Sequence, residues 1–201
     1  MQYSNIAMAK VILYIAASLD GYIARIDGEI DWLSIVERAG EDYGYAAFYE
    51  SVDALVMGRK TYDLALTFGE WPYPGKKSFV FTHSDLTSDR NDVVFLSSDV
   101  ASGVATIEAQ GFHTLWLVGG GALTRSFLQN DLIDEYILSL IPVLLGNGIP
   151  LFSTTGREEK LVLAGSTEYP SGLVQLHYKR HRVVGSGGGR TPNGADFLPN
   201  R

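Results

Sequence analysis

Short uncharged runs rich in β-branched and aromatic residues, at positions 11–17, 54–57, 78–81 and 115–118, recur along this 201-residue chain with helix-like stretches between them. None alternates apolar with polar residues, so each reads as a strand covered on both faces, the condition of a parallel sheet with helices on either side. Residues 93–96 and 135–141 add a fifth and a sixth strand. Residues 161–166 and 174–179 flank Tyr169, Pro170, Ser171 and Gly172, a tight-turn composition, and read as a closing hairpin. Helices are expected over 42–51, 61–66, 99–110 and about 122–128, the third starting after Ser98, an N-cap residue type, and stopping at Gly111. The pattern predicts one α/β domain over residues 10–181, with a mostly parallel central sheet and an antiparallel C-terminal hairpin. Residues 1–9 read as a short N-terminal arm. Residues 182–201, with Gly185, Gly187, Gly188 and Gly189, read as a flexible tail that buries too little apolar surface to order itself.

Composition narrows the function classes. A hydrophobic content of 46% supplies a sizeable core, and the length suits one domain. No apolar run approaches the roughly 18 residues of a membrane span. The net charge of −7 argues against a surface built to grip phosphodiester backbone. Neither nucleic acid nor membrane is therefore an expected partner. The absence of cysteine removes disulfides, thiolate zinc sites, iron–sulfur clusters and a cysteine nucleophile, and the four histidines show no metal-ligand spacing. The first residues lack the layout of a secretion signal, so the cytoplasm is the expected compartment.

Two strand ends carry glycine. Gly119, Gly120 and Gly121 lie directly after a buried strand and directly before a helix; glycine admits positive φ and close approach of a ligand, and a helix N-terminus offers free N–H groups and a positive dipole end. A bare tight turn is the other reading, since the triplet is not GxGxxG. Gly58, Arg59, Lys60 and Thr61 form a similar corner: Arg59 can grip a phosphate bidentately, Lys60 adds a point charge, and Thr61 a hydroxyl. Together the corners make a two-point clamp, because parallel strands present their carboxyl ends at one edge. Thr82 and His83 end the third strand at that edge as hydroxyl and imidazole donors, His83 sitting near phosphate or on plain surface rather than acting as a base.

The connector 18–33 is long for a loop at a carboxyl edge and reads as a lid or binding loop; its Trp32 either meets a ligand or plugs the core. Asp42 opens the first expected helix, where position alone makes it a cap.

Taken in order, these pieces resemble the dihydrofolate reductase-like family, in the branch that includes the reductase domain of riboflavin biosynthesis. The resemblance covers about residues 10–180. It rests on Ala16-Ala17-Ser18-Leu19-Asp20-Gly21-Tyr22-Ile23-Ala24, Asp31-Trp32, Val56-Met57-Gly58-Arg59-Lys60-Thr61-Tyr62, Pro72-Tyr73-Pro74-Gly75-Lys76-Lys77 and Val118-Gly119-Gly120-Gly121. It implies a three-layer fold binding NADPH across the strand ends. Ala17 and Ile23 would line the nicotinamide pocket, Gly58, Arg59, Lys60, Thr61, Thr82 and His83 would hold phosphates and adenosine, and the triple glycine would lie against the pyrophosphate. By the same resemblance Asp42 falls where dihydrofolate reductases keep a single substrate-binding acid, with Trp32, Tyr45 and Lys76 on the substrate side. Lys76 replaces the arginine that grips the folate tail, and Ala46 replaces a phenylalanine that packs on folate.

The expected function is thus NADPH-dependent reduction of a small pyrimidine- or pteridine-type heterocycle. Dihydrofolate reductase proper and a non-catalytic nucleotide-binding protein are the alternatives. Asp42, as an isolated acid beside an apolar pocket, is expected to have a raised pKa and to help deliver a proton. The apolar sixth strand and the closing hairpin are expected to support a homodimer.

Overall fold

The computed structural model of the chain describes residues 9–84, 86–156 and 158–181. In chain order the elements are β1 (Lys10–Ser18), β2 (Tyr22–Ala24), a 3-10 helix (Asp31–Val36), α1 (Tyr45–Ser51), β3 (Ala54–Gly58), α2 (Arg59–Leu66), β4 (Lys77–Phe81) and β5 (Val93–Leu96). Then come α3 (Val100–Glu108), β6 (Thr114–Gly119), α4 (Gly121–Gln129), β7 (Glu135–Ile141), β8 (Ile149–Pro150), β9 (Leu161–Glu168) and β10 (Val174–Arg180). Eight strands form one sheet in the order β5-β4-β3-β6-β1-β7-β10-β9, while β2 and β8 pair separately. β10 runs antiparallel to β7 and β9, as expected of the hairpin.

Strand alternation sorts the core into two layers about the sheet. Val11 and Leu13 join Val56, Phe79 and Leu117 under α3 and α4, which contribute Val104, Ile107, Leu123 and Phe127. Ile12, Leu55, Met57, Val80 and Trp116 face the other way, toward Phe48 of α1 and Tyr62 and Ala65 of α2. Both faces are covered, which is why these strands carry no polar alternation. Full burial of a side chain such as Phe127 contributes about 1.5–3 kcal/mol.

Three helix starts differ from expectation. The N-cap of α3 is Asp99, whose carboxylate accepts from Ala101 N and Ser102 N, rather than Ser98. α1 begins at Tyr45 because Gly44, at φ +77, turns the chain just before it. α2 starts at Arg59, immediately after the strand. The expected arm and tail lie outside the described residues, apart from Ala9, which is buried. Among the described residues no helix is long and apolar enough to cross a membrane.

Candidate functional site

Parallel pairing of β1 with β6 and β7, of β3 with β4 and β6, and of β4 with β5 brings the carboxyl ends of six strands to one edge. β3 and β6 are neighbours there, with Met57 opposite Gly119. The two glycine corners consequently meet. A Cβ on Gly120 would stand 3.1 Å from Thr61 Oγ1 and 3.9 Å from Gly58 Cα. Gly119 and Gly120 hold φ values of +134 and +93, open to glycine and strained for other residues. Neither α2 nor α4 has a side-chain cap, so the first N–H groups of two helices converge with their positive dipole ends on one place. Such a cradle suits a phosphate or diphosphate.

Around it stand the other expected residues. Arg59 is paired with Asp63 at 2.6 Å and lies 5.9 Å from the Phe95 ring and 6.0 Å from that of Tyr62. Lys60 is exposed. Thr82 and exposed His83 follow β4, whose Phe81 sits opposite Gly58. Ala17 is buried at the end of β1. Ile23 reaches the triple glycine: its Cδ1 would be 3.9 Å from a Cβ on Gly121, and Pro150 O only 3.0 Å.

That last contact exposes a feature the sequence reading missed. The connector after β1 pairs through β2 with β8 and leans on the first turn of α4. It is pinned by Leu19 N to Val143 O at 2.9 Å and by Asp20, which accepts from Leu145 N at 3.1 Å and Gly146 N at 2.7 Å. Residues 19–24 of this connector are therefore held as a wall in this structure, while Arg25 to Asp31 bond among themselves. The signal for it was Gly146-Asn147-Gly148-Ile149-Pro150, a turn composition four residues beyond the end of the sixth strand.

The expected substrate-side residues do not form one group. Trp32 is 2% exposed and packs with Val36, Ile141 and Leu173, so it takes the plug role. Lys76 lies at the opposite, amino-terminal edge of the sheet, beside β4's first residue. Its Nζ donates to Val52 O at 2.6 Å and stands 5.5 Å from the Tyr49 ring, closing the end of α1. Tyr45 stacks on Tyr49 with ring centres 5.6 Å apart and meets Trp116 edge-on, and burial pushes its pKa up. An open hollow of about 590 Å³, bounded by Glu37, Arg38, Glu41, Asp42, Tyr43 and Tyr45, lies at the start of α1 rather than at the glycine corners.

Asp42 departs from expectation in its ionisation. It is exposed, with Oδ2 accepting from Ala46 N at 3.0 Å and Oδ1 from Gly44 N at 2.9 Å. These donors, Ala46 first and Gly44 second, hold its pKa below the ordinary aspartate range. The raised pKa expected for a buried acid is corrected: the group is capped and wet. A depressed folded-state pKa means its stabilising effect is full above the unfolded-state value and disappears as pH falls below about 4. NMR titration of the Asp42 carboxyl should give a midpoint below that of a model aspartate, and Asp42→Ala should flatten the acid limb of the stability curve. A midpoint at or above the model value contradicts this assignment.

Fold and edge together define the class: an α/β protein of dihydrofolate reductase-like fold in which two helix N-termini meet at glycines across the strand ends. Within that class the chain belongs to the RibD C-terminal domain family, a family of reductase domains, which matches residues 9–175. The uncharacterized Bacillus subtilis protein YwjB is 41% identical over 172 residues, covering 85% of this chain and 98% of YwjB. A second uncharacterized protein of that organism, YyaP, is 30% identical over 187 residues, 87% of this chain and 97% of its own length. Among solved structures, a Shewanella protein assigned to riboflavin biosynthesis superposes with a TM-score of 0.81 at 37% identity, over 87% of this chain and 100% of that one. The Thermotoga maritima diaminohydroxyphosphoribosylaminopyrimidine deaminase/5-amino-6-(5-phosphoribosylamino)uracil reductase shares the fold, with a TM-score of 0.67 at 16% identity, over 87% of this chain and 57% of that one.

Proposed function

We propose that the chain is an NADPH-dependent reductase of a small heterocycle of pyrimidine or pteridine type. The observation that carries the reading is the convergence of two uncapped helix N-termini on glycines, where a Cβ on Gly120 would press against Thr61 at 3.1 Å. Gly58, Thr61 and Gly119 to Gly121 would hold the diphosphate through backbone N–H groups. Arg59, Lys60, Thr82 and His83 would take the adenosine side, and the positive charge of Arg59 and Lys60 favours a 2′-phosphate and hence NADPH over NADH. Ala17 and Ile23 would flank the nicotinamide, which supplies a hydride when the cofactor is bound.

The chain's own part is positioning. The pinned β2–β8 wall keeps water from the strand ends. Asp42, ionised at neutral pH, accepts hydrogen bonds and orients a ring N–H; its lowered pKa removes it as a proton donor. Lys76 is committed to Val52 O at the far edge, which argues against a folate tail bound there. The test is an NADPH fluorescence titration followed by turnover of pyrimidines, pteridines and dihydrofolate. Saturable NADPH binding with reduction of a pyrimidine or pteridine is expected; binding with no substrate reduced favours the non-catalytic reading, and turnover of dihydrofolate favours dihydrofolate reductase proper.

We further infer a homodimer through β9. It is one of the two edge strands of the sheet, and Leu161, Val162 and Leu163 on it are 39, 49 and 54% exposed. An uncharged edge of this kind invites pairing. Light scattering should report twice the chain mass for the wild type and the single mass for Leu163→Lys; a monomeric wild type sinks the idea.

A further inference from the structure

β1 is flanked by β6 and β7, yet Tyr14, Ile15 and Ala16 are only half-buried between buried Leu13 and Ala17. Their partial exposure marks a gap in the cover of a central strand. Tyr14 and Ala16 share the face toward α1, and on that face the register sets Ala16 beside Ser139 of β7, and Ser139 beside Gln175 of β10. Gln175 Nε2 donates to Ser139 Oγ at 3.2 Å and to the Tyr43 carbonyl at 3.3 Å. A carbonyl only accepts, so the amide nitrogen must be the atom facing it, and both its hydrogens are engaged. The amide oxygen Oε1 is thereby turned away from both partners.

Tyr14 completes the pair. Its ring is wedged against Phe48, with centres 4.2 Å apart, and edge-on to Trp116 at 6.0 Å, so the hydroxyl cannot swing. The hydroxyl stands beside the Gln175 side chain and makes a long contact, 3.5 Å, to the same Tyr43 carbonyl. Burial raises its pKa to about 12, with the adjacent Gln175 side chain opposing the rise, so it carries its proton at neutral pH. Asp42, Tyr45 and Tyr169 are close enough to act on its ionisation. Tyr43 delivers its carbonyl from φ +55, a left-handed conformation in a residue that is not glycine, and strain of this kind gathers at functional sites.

We propose that Tyr14 and Gln175, positioned by Ser139 and the Tyr43 carbonyl, are the specificity-determining residues that read the lactam edge of the substrate ring. The Tyr14 hydroxyl donates to the ring carbonyl, and Gln175 Oε1 accepts from the adjoining ring N–H. The inference rests on the reductase reading for the class of ligand, and on the cluster's own geometry for which edge is read.

The test uses the full chain, 5,6-diaminouracil and its 1,3-dimethyl analogue, which lacks the ring N–H groups, with tryptophan emission as the readout because Trp116 adjoins Tyr14. The wild type should bind the methylated ring at least about tenfold more weakly. Gln175→Leu should weaken the parent ring by about tenfold and leave the two ligands within about twofold of each other. Tyr14→Phe should weaken both, since both keep the carbonyl. Wild-type NADPH affinity in the two variants shows the fold and the cofactor edge intact. Equal binding of both rings to the wild type, no binding of either, or discrimination surviving in Gln175→Leu overturns the proposal. Loss of NADPH binding in the wild type with ring discrimination preserved sinks the reductase reading and leaves this one standing.

Discussion

Gly120→Val is expected to weaken NADPH binding by at least about a hundredfold. Two costs coincide there. At φ +93 any L side chain is strained, by about 1–3 kcal/mol. Its Cβ would also lie 3.1 Å from Thr61 Oγ1, and the further methyl groups would stand between the two helix N-termini where a diphosphate must approach the backbone. Gly40→Ala separates the two effects, since Gly40 holds φ +80 with nothing within 4 Å of a Cβ; it should lose stability but bind NADPH as the wild type does. The measurement is the fluorescence titration of both variants beside a thermal melt. NADPH affinity of Gly120→Val within a few-fold of wild type would mean that the cofactor does not lie between the corners.

Gly148→Ala carries the second large effect. A Cβ there would sit 2.3 Å from the backbone oxygen of Ala24 and 3.2 Å from Tyr22, so β2 and β8 must separate. Overpacking of this kind costs about 1–3 kcal/mol, which for a chain of this size lowers Tm by roughly 2–10 °C. Separation also draws Ile23 and Pro150 away from Gly121, and NADPH affinity should fall with it. Hydrogen exchange gives the local reading: the Leu151 N–H, bonded to Gly21 O at 2.9 Å, should lose protection. An unchanged Tm together with unchanged exchange would show that the wall is not held by this contact.

All eight strands of the main sheet were legible in the chain because each is long enough to show its burial pattern. β2 and β8 were not: three and two residues carry no period, and they pair only because the β7–β8 connector returns past the end of β1. The N-cap of α3 fell on Asp99 rather than Ser98 for a similar reason, since two adjacent capping residues are distinguished by which one reaches Ala101 N and Ser102 N. At Asp42 the position alone indicated the helix cap; the N-cap is Gly44 instead, and Asp42 reaches the helix start from two residues earlier through Gly44 N and Ala46 N. The raised pKa did not follow, because Gly44 and Ala46 N–H groups reach the carboxylate while the apolar neighbours do not cover it. Trp32 shows the opposite case: its two readings were equal in the chain, and burial against Ile141 and Leu173 chose between them.

The order of apolar runs, glycines and helix starts was enough to settle the α/β class, the near-parallel sheet and the two glycine corners as units. These are local properties: burial on both faces writes itself into consecutive residues, and a strand-to-helix turn needs its glycine where it stands. Which corners meet, which connector becomes a wall, and that Tyr14, Ser139 and Gln175 share one face of the sheet were decided only by the folded sheet. Strand order and register join residues distant in the chain, and nothing within a single strand records its neighbour.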